Sequence, residues 1–369
     1  MKLNSLQQKI LTHLEPLPTG SPDRATTSII ERGKFTIGET VTEILRSLRR
    51  GEPMIWDPWV LKDDNVYRMF YLKGLEGQNP WWTISNICGA ISTDMRQWQD
   101  LGSILEPEPI NNWESGRICA GCTYKEDGIY YLFYSAGGLQ EPDLKNEAIG
   151  LATSNDGLHF SRTSNNYLLK PENDNFWYGR SQWTGHFHWR DPYIFKDDKT
   201  GNYYMFICAS SKVVGNFQGC IGLAVADKIS GPYKLLPPAI EAPTDAVDWP
   251  YYHMERPQVI YKDGKYHLFF SCFKMLMNPK WLQKSPPKKI TNSSLYWYIS
   301  DDVTGPYKPV NDDFIVIGSE KTGMYGTNFL QISTEPEKFI AYGWYHRLHT
   351  LAVSQRFQVN WKDTISLVR

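Results

Sequence analysis

The chain has 369 residues with 39 basic against 40 acidic side chains, a formal net charge of -1, so its charge marks neither a nucleic-acid nor an anionic-membrane partner. Hydrophobic residues make up 41% and aromatic ones 14%, enough for a large core and for flat rings that either fill β layers or stack on sugars. No uncharged run is long enough to span a bilayer, the first nine residues carry no apolar export signal, and six scattered cysteines read as reduced thiols; a soluble cytoplasmic protein is expected.

Residues 1–50 read as a short helical lead-in. Leu3, Leu6, Ile10, Leu11 and Leu14 recur at helical spacing, residues 16–22 form a loop of proline, glycine and serine, and 40–50 read as a second amphipathic helix. Residues 51–369 form the body. It opens with Trp56-Asp57-Pro58-Trp59, an apolar run, a Lys-Asp turn and Tyr67-Arg68-Met69-Phe70-Tyr71. The same order returns at Arg190-Asp191-Pro192-Tyr193 and at Glu255-Arg256-Pro257-Gln258, each followed by a Lys-Asp turn and an aromatic run. Such a unit is a β-hairpin, used three times.

Two further hairpins are predicted, Ile118 to Tyr134 and Phe329 to Tyr342, with turns at 125–128 and 335–338. Apolar runs ending in turns follow the hairpins, as at Ser92-Thr93-Asp94, Ser154-Asn155-Asp156 and Ser300-Asp301-Asp302. Units therefore begin near positions 57, 118, 191, 255 and 327, and the expected fold is an all-β five-bladed propeller, with Phe357–Trp361 closing the ring against the first blade. A sandwich would not place acid-proline pairs at one slot of several units. Equivalent slots of propeller blades face each other around the axis, so Asp57, Asp191 and Glu255 are expected to border one funnel. Aligned on proline, however, Arg256 matches the two aspartates and Glu255 stands one residue earlier. Carboxylates crowded in an aromatic-lined pocket suit glycoside chemistry: one attacks the anomeric carbon, one protonates the leaving oxygen, and one stabilises the developing charge.

The order Trp-Asp, Arg-Asp-Pro, Glu-Arg-Pro on such a propeller resembles the β-fructosidase clan, and within it glycoside hydrolase family 68, the levansucrases, inulosucrases and bacterial β-fructofuranosidases. The resemblance runs from Trp56 to the C-terminus. It implies Asp57 as nucleophile, Asp191 as transition-state stabiliser and Glu255 as acid/base, with Arg190 binding substrate and Trp56 walling the fructosyl pocket. Trp113-Glu114-Ser115-Gly116 looks like the family's Trp-Ser-Gly with one residue inserted, which assigns Trp113 and Ser115 to the pocket, and Tyr325 sits where the family has a tyrosine near the acid/base. Arg256 is taken with them as a substrate-binding residue.

Departures fall on the leaving-group side, where His253 replaces the family's Glu or Gln and the family's arginine would fall near Phe273-Lys274. The expectation is a retaining enzyme on sucrose or a related β-fructofuranoside, hydrolysis favoured. Its partner is a small carbohydrate. No cofactor and no metal site is expected, either from the Cys119-x-x-Cys122 pair or from His186 and His188. An arabinofuranosidase or xylosidase resembling glycoside hydrolase family 43 is the alternative, and a non-catalytic sugar-binding propeller the other. Trp81-Trp82 and Phe176-Trp177-Tyr178 are candidates either for lining a sugar site or for plugging loops onto the core.

Overall fold

The computed structural model describes residues 27–31, 34–37 and 54–368, apart from 75–84, 139–144, 173–174, 244–247, 285–289, 312–313 and 348–349. A first hairpin, β1 (Thr27–Glu31) and β2 (Lys34–Ile37), precedes five antiparallel blades. Blade 1 comprises β3 (Ile55–Asp63), β4 (Val66–Gly74), β5 (Ser85–Ser92) and β6 (Trp98–Leu105). Blade 2 is β7 (Arg117–Glu126), β8 (Ile129–Gly137), β9 (Glu147–Ser154) and β10 (Ser161–Arg162). Blade 3 is β11 (Trp189–Lys196), β12 (Tyr203–Ser210), β13 (Gly219–Ala226) and β14 (Lys234–Ile240). Blade 4 is β15 (Glu255–Lys262), β16 (Lys265–Ser271), β17 (Leu295–Ser300) and β18 (Lys308–Pro309), with a short helix α1 (Pro279–Lys284) between β16 and β17. Blade 5 is built from β19 (Met324–Thr334), β20 (Glu337–Arg347), β21 (Thr350–Ser354), β22 (Phe357–Trp361) and β23 (Ile365–Val368).

The first strands pack in a closed circuit, β3 on β7, β7 on β11, β11 on β15, β15 on β19 and β19 on β3, so the five predicted units are the five blades of a propeller. Side-chain alternation explains why the second strand of each blade is a continuous apolar run. In β12, Tyr203, Met205 and Ile207 pack against blade 2 residues such as Phe133 and Ile149, while Tyr204 and Phe206 pack against Leu268 and Phe270 of blade 4. Both faces of such a strand are covered, so apolar residues stand at consecutive positions instead of every second one. Burying one phenylalanine in this way stabilises the fold by about 2–3 kcal/mol. The Ser-x-Asp turns work locally: Ser92 Oγ accepts the N–H groups of Asp94 and Met95, and Asp94 Oδ1 those of Arg96 and Gln97, reversing the chain from β5 into β6.

Ring closure differs from expectation. Strand β22 pairs with β20 and β23 inside blade 5 and does not reach blade 1. The join is instead made by the β1–β2 hairpin: β1 pairs with β21 through Thr27↔Ser354 and Ser28↔Val353, and β2 with β6 through Lys34↔Gln99 and Phe35↔Trp98. The lead-in thus contributes strand pairing to the body, and its two predicted helices lie outside the described residues. Among the described residues no helix is long and apolar enough to cross a membrane.

Candidate active site

The innermost strands share a local irregularity that fixes the site. Ladder register shifts in β3 between Trp56 and Trp59, in β11 between Arg190 and Tyr193, in β15 between Glu255 and Gln258, and in β19 between Tyr325 and Asn328. Each bulge holds one residue at positive φ: Asp57 at 46°, Asp191 at 56°, Arg256 at 54° and Gly326 at 58°. In three of them the next residue is proline, which has no N–H to give the ladder. A positive φ is unusual for aspartate and an outlier for arginine, so the surrounding ring holds these residues there. Arg256 therefore occupies the conformational slot of the two aspartates, and Glu255 is the extended residue before it, paired with Ser271. The slot in blade 5 holds glycine, where a Cβ would crowd Trp344 Nε1 at 3.1 Å and Asp57 Oδ1 at 3.2 Å.

Glu255 sits among donors. Arg190 Nη2 gives a hydrogen bond to its Oε1 at 2.8 Å, the Tyr325 hydroxyl donates to Oε2, and His253 Nε2 lies 3.3 Å from Oε2 without hydrogen-bond geometry. Arginine can only donate, so the 2.9 Å contact of Arg190 Nη2 with His253 Nδ1 places the histidine's hydrogen on Nε2, facing Glu255. The same logic applies to His188, whose Nδ1 accepts from Arg190 Nη1 at 2.6 Å and whose Nε2 meets the Tyr252 hydroxyl at 3.0 Å. Asp57 Oδ1 accepts from Trp344 Nε1 at 2.8 Å. The rings of Tyr325 and Trp344 lie 5.5 Å apart, linking the groups that hold the two carboxylates. Asp191 Oδ2 accepts the Arg256 N–H at 3.1 Å, and its own N–H donates to Ser135 Oγ at 3.1 Å.

These surroundings set the charges. Burial raises Asp57, Arg256 opposes it, and the charges of Asp191 and Glu255 add to it, leaving the carboxyl pushed up to about 7. Asp191 is raised as well, by burial first and by Glu255, against Arg190 and Arg256. Burial acts upward on Glu255 too, but His253, Arg190 and the Tyr325 hydrogen bond outweigh it and hold the carboxyl well below its ordinary range. Of the three carboxyls, Asp57 and Asp191 are thus shifted toward the protonated form and Glu255 toward the ionised one.

The other expected site residues are distributed unevenly. Trp56, Trp113, Tyr325 and Trp344 belong to one buried hydrophobic cluster. Trp113 donates from Nε1 to Asn165 O at 3.0 Å and stacks on Tyr134. Ser115 follows it, half-buried, at the end of a short 3-10 turn. The inserted Glu114 is fully buried and holds the loop, accepting from Asn111, Tyr134 and Arg162. The Arg256 guanidinium donates to Gly121 O at 3.2 Å and Pro58 O at 3.1 Å and lies over the Trp59 ring. The Phe273 ring stacks on Tyr325 with centroids 3.6 Å apart. Tyr178 is a core residue, its hydroxyl bonded to Leu236 O, whereas Phe176 is exposed. Trp81 and Trp82 lie outside the described residues. His186 and His188 stack face to face, and among the described residues no cluster of three or more His, Cys, Asp or Glu is arranged for a metal ion. A cavity of about 630 Å³ lies along the inner strands, lined by Asp191 and Arg256 but not by Asp57 or Glu255, so it meets the site only on the Asp191 side.

Sequence reasoning missed Trp344 and Glu147. Glu147 is buried behind Arg190, accepts from Arg190 Nη1 at 3.1 Å, Arg117 Nη2 at 3.3 Å and the Trp189 N–H at 3.2 Å, and is held ionised well below its ordinary range by these partners despite its burial. A lone acid opening the apolar run Glu147–Ser154 was the available signal.

Residues 54–365 match the model of glycosyl hydrolases family 43. Among curated proteins, the levansucrase of Rahnella aquatilis is 28% identical over 184 residues, 42% of this chain and 40% of that one, and the levansucrase of Erwinia amylovora is 34% identical over 111 residues, 30% and 23% of the two chains. The chain thus matches less than half the length of these relatives. Among solved structures, an inulosucrase from Halalkalicoccus jeotgali bound to kestose superposes with TM-score 0.67 at 18% identity over 94% of this chain and 92% of that one. Bacillus subtilis levansucrase superposes with TM-score 0.66 at 16% identity over 99% and 92%. At this identity the superpositions show the five-bladed fold.

Proposed function

This chain belongs to family 43 of the glycosyl hydrolases, and from that premise we propose that it is a retaining enzyme that cleaves sucrose or a related β-fructofuranoside, favouring hydrolysis over polymer synthesis. The observation that carries the reading is the meeting of Asp57, Asp191 and Glu255 from three blades, with Arg190 and Tyr325 holding Glu255 and Trp344 holding Asp57. The similarity to levansucrases over part of the chain supports a fructosyl donor.

In the reaction, Asp57 attacks the anomeric carbon of the fructosyl unit while Glu255 gives a proton to the departing oxygen; water activated by Glu255 then releases the sugar from the ester. Asp191 stays ionised beside the ring and stabilises its positive charge. Attack needs Asp57 ionised and departure needs Glu255 protonated, so in the substrate complex the proton has to stand on Glu255, and the two carboxylates act as one titrating pair. Replacement of arginine by Phe273, and of an amide or acid by His253, whose Nδ1 meets Arg190, weakens the polar grip on a leaving glucose, which favours water as acceptor.

A second reading, hydrolysis of an arabinofuranoside, is favoured by the family 43 match itself. Incubation with sucrose, raffinose and an aryl arabinofuranoside, with separation of products, decides between them. Free fructose supports the proposal; arabinose alone replaces it, and high-molecular-weight fructan removes the preference for hydrolysis.

A further inference from the structure

All five inner strands shift register near their start, and the last ladder-paired residues before the shift are Trp56, Cys119, Arg190, Glu255 and Tyr325. Residues at one slot of successive blades face a common space. Arg190, Glu255 and Tyr325 meet there through hydrogen bonds, and Trp56 shares a buried cluster with Tyr325. Cys119 is the member from blade 2, and the proposed reaction gives it no task. Its bulge belongs to the same frame: Ser135, paired with Cys119, donates from Oγ to Ala120 O at 3.0 Å and accepts the Asp191 N–H, while Gly121 O accepts from Arg256. A Cβ at Gly121 would stand 1.8 Å from Phe133 O, so only glycine fits against β8 here. Ser115 lies before β7 begins and outside this ring of slots.

Cys119 is partly exposed, although its neighbours Ile118 and Ala120 in the same innermost strand are each 0% exposed and the other five cysteines are buried. The cavity of about 630 Å³ is lined by Gly121 and Cys122 but not by Cys119. The exposed face of Cys119 therefore opens on the other side of the bulge, toward Arg190, whose charge acts on the thiol together with those of Arg117, Glu147 and Asp191. The same space holds a second group that points to a ligand: His253 Nε2, on a side chain 6% exposed and 3.3 Å from Glu255 Oε2, has no hydrogen-bond partner among the described residues and is available to a sugar hydroxyl.

We propose that Cys119 is blade 2's contact with the bound furanosyl ring, a specificity-determining residue and the one thiol through which a thiol-directed reagent closes the pocket. The inference rests on the reading above that this pocket binds a furanosyl unit. Burial pushes the thiol up to about 12 against the charges of Arg117 and Arg190, so at neutral pH it meets the sugar as an uncharged S–H, a weak donor and a compact apolar surface. A larger side chain at this slot takes space from the ring.

The test is labelling of the native protein with methyl methanethiosulfonate. The thiolate sulfur attacks the thio sulfur of the reagent, a methyl disulfide forms, methanesulfinate leaves with the electron pair of the broken S–S bond, and the thiol proton goes to the buffer. At about pH 8.5, where a small thiolate fraction sustains the reaction, mass spectrometry is expected to find one adduct, at Cys119, with loss of activity and with labelling slowed at least about tenfold by saturating fructose. In Cys119→Ser the activity that remains should resist the reagent, and Cys119→Leu should raise KM by about tenfold or more with a smaller change in kcat. Cys122→Ser, which alters the thiol on the cavity side, should keep the wild-type KM. A protein that does not label at Cys119, labels first at another cysteine, keeps full activity once Cys119 is labelled, or labels equally fast with and without fructose or arabinose overturns the proposal, and the labelling decides alone if Cys119→Leu does not fold. Protection by arabinose where fructose gives none leaves Cys119 in the pocket and removes the fructosyl reading.

Discussion

Replacing Asp57 with asparagine is expected to abolish turnover and, at alkaline pH, to stabilise the fold. The Asp57 carboxyl moves from 3.8 in an open chain to about 7 in the folded protein, mainly through burial. Below about pH 4 both states hold the proton and the group contributes its full stability; between about pH 4 and 7 the unfolded chain releases a proton that the folded chain keeps, so stability falls as pH rises. At about 1.36 kcal/mol per pH unit the whole difference is about 4 kcal/mol, and residual solvent contact of the half-buried side chain reduces it to about 2 kcal/mol. Asparagine carries no charge to desolvate, can still accept from Trp344 Nε1, and tolerates the φ of 46° at this bulge. Urea denaturation of both proteins at pH 4 and pH 8.5 measures the effect. Near-equal stability at pH 4 and an advantage of about 2 kcal/mol for Asp57→Asn at pH 8.5 are expected, with activity lower by several orders of magnitude. A variant no more stable than wild type at pH 8.5 would refute the electrostatic reasoning, and activity within about tenfold of wild type would refute the role of nucleophile.

Three further outcomes follow from the site. Glu255→Gln should lose activity on sucrose but retain formation of the fructosyl ester from fructosyl fluoride, whose leaving group needs no proton; equal loss on both donors removes Glu255 as the acid. The kcat/KM of the wild-type enzyme should fall tenfold per unit above about pH 7, as the shared proton is lost from the pair, and a profile flat to pH 9 contradicts this. His253→Gln should lower KM for sucrose or raise the share of transfer products if this position touches the leaving sugar, with unchanged values showing that the histidine serves only Arg190 and Glu255.

The repeats made the propeller legible because each blade must reverse its chain with the same turn chemistry, and because the inner bulge recurs with the same proline. The offset between Glu255 and Arg256 was visible for the same reason, but the direction of the Arg256 side chain was not, since it depends on carbonyls offered by Pro58 and Gly121 in other blades. Trp344 reaches Asp57 only because β20 lies beside β19 with Trp344 opposite Tyr325, a register that sequence spacing leaves open. The hairpin at the front of the chain was readable in principle: Arg32-Gly33 separates two β-branched runs, a turn signal overlooked between two stronger helical patterns.

Arg256 belongs to blade 4, its guanidinium grips backbone of blades 1 and 2, and its N–H serves the Asp191 carboxylate of blade 3. One side chain thus acts as a latch whose closed position exists only in the finished ring. Loss of any one of these four blades removes a partner of that latch, so the Asp191 carboxylate and the backbone around Asp57 share a frame that no single blade supplies.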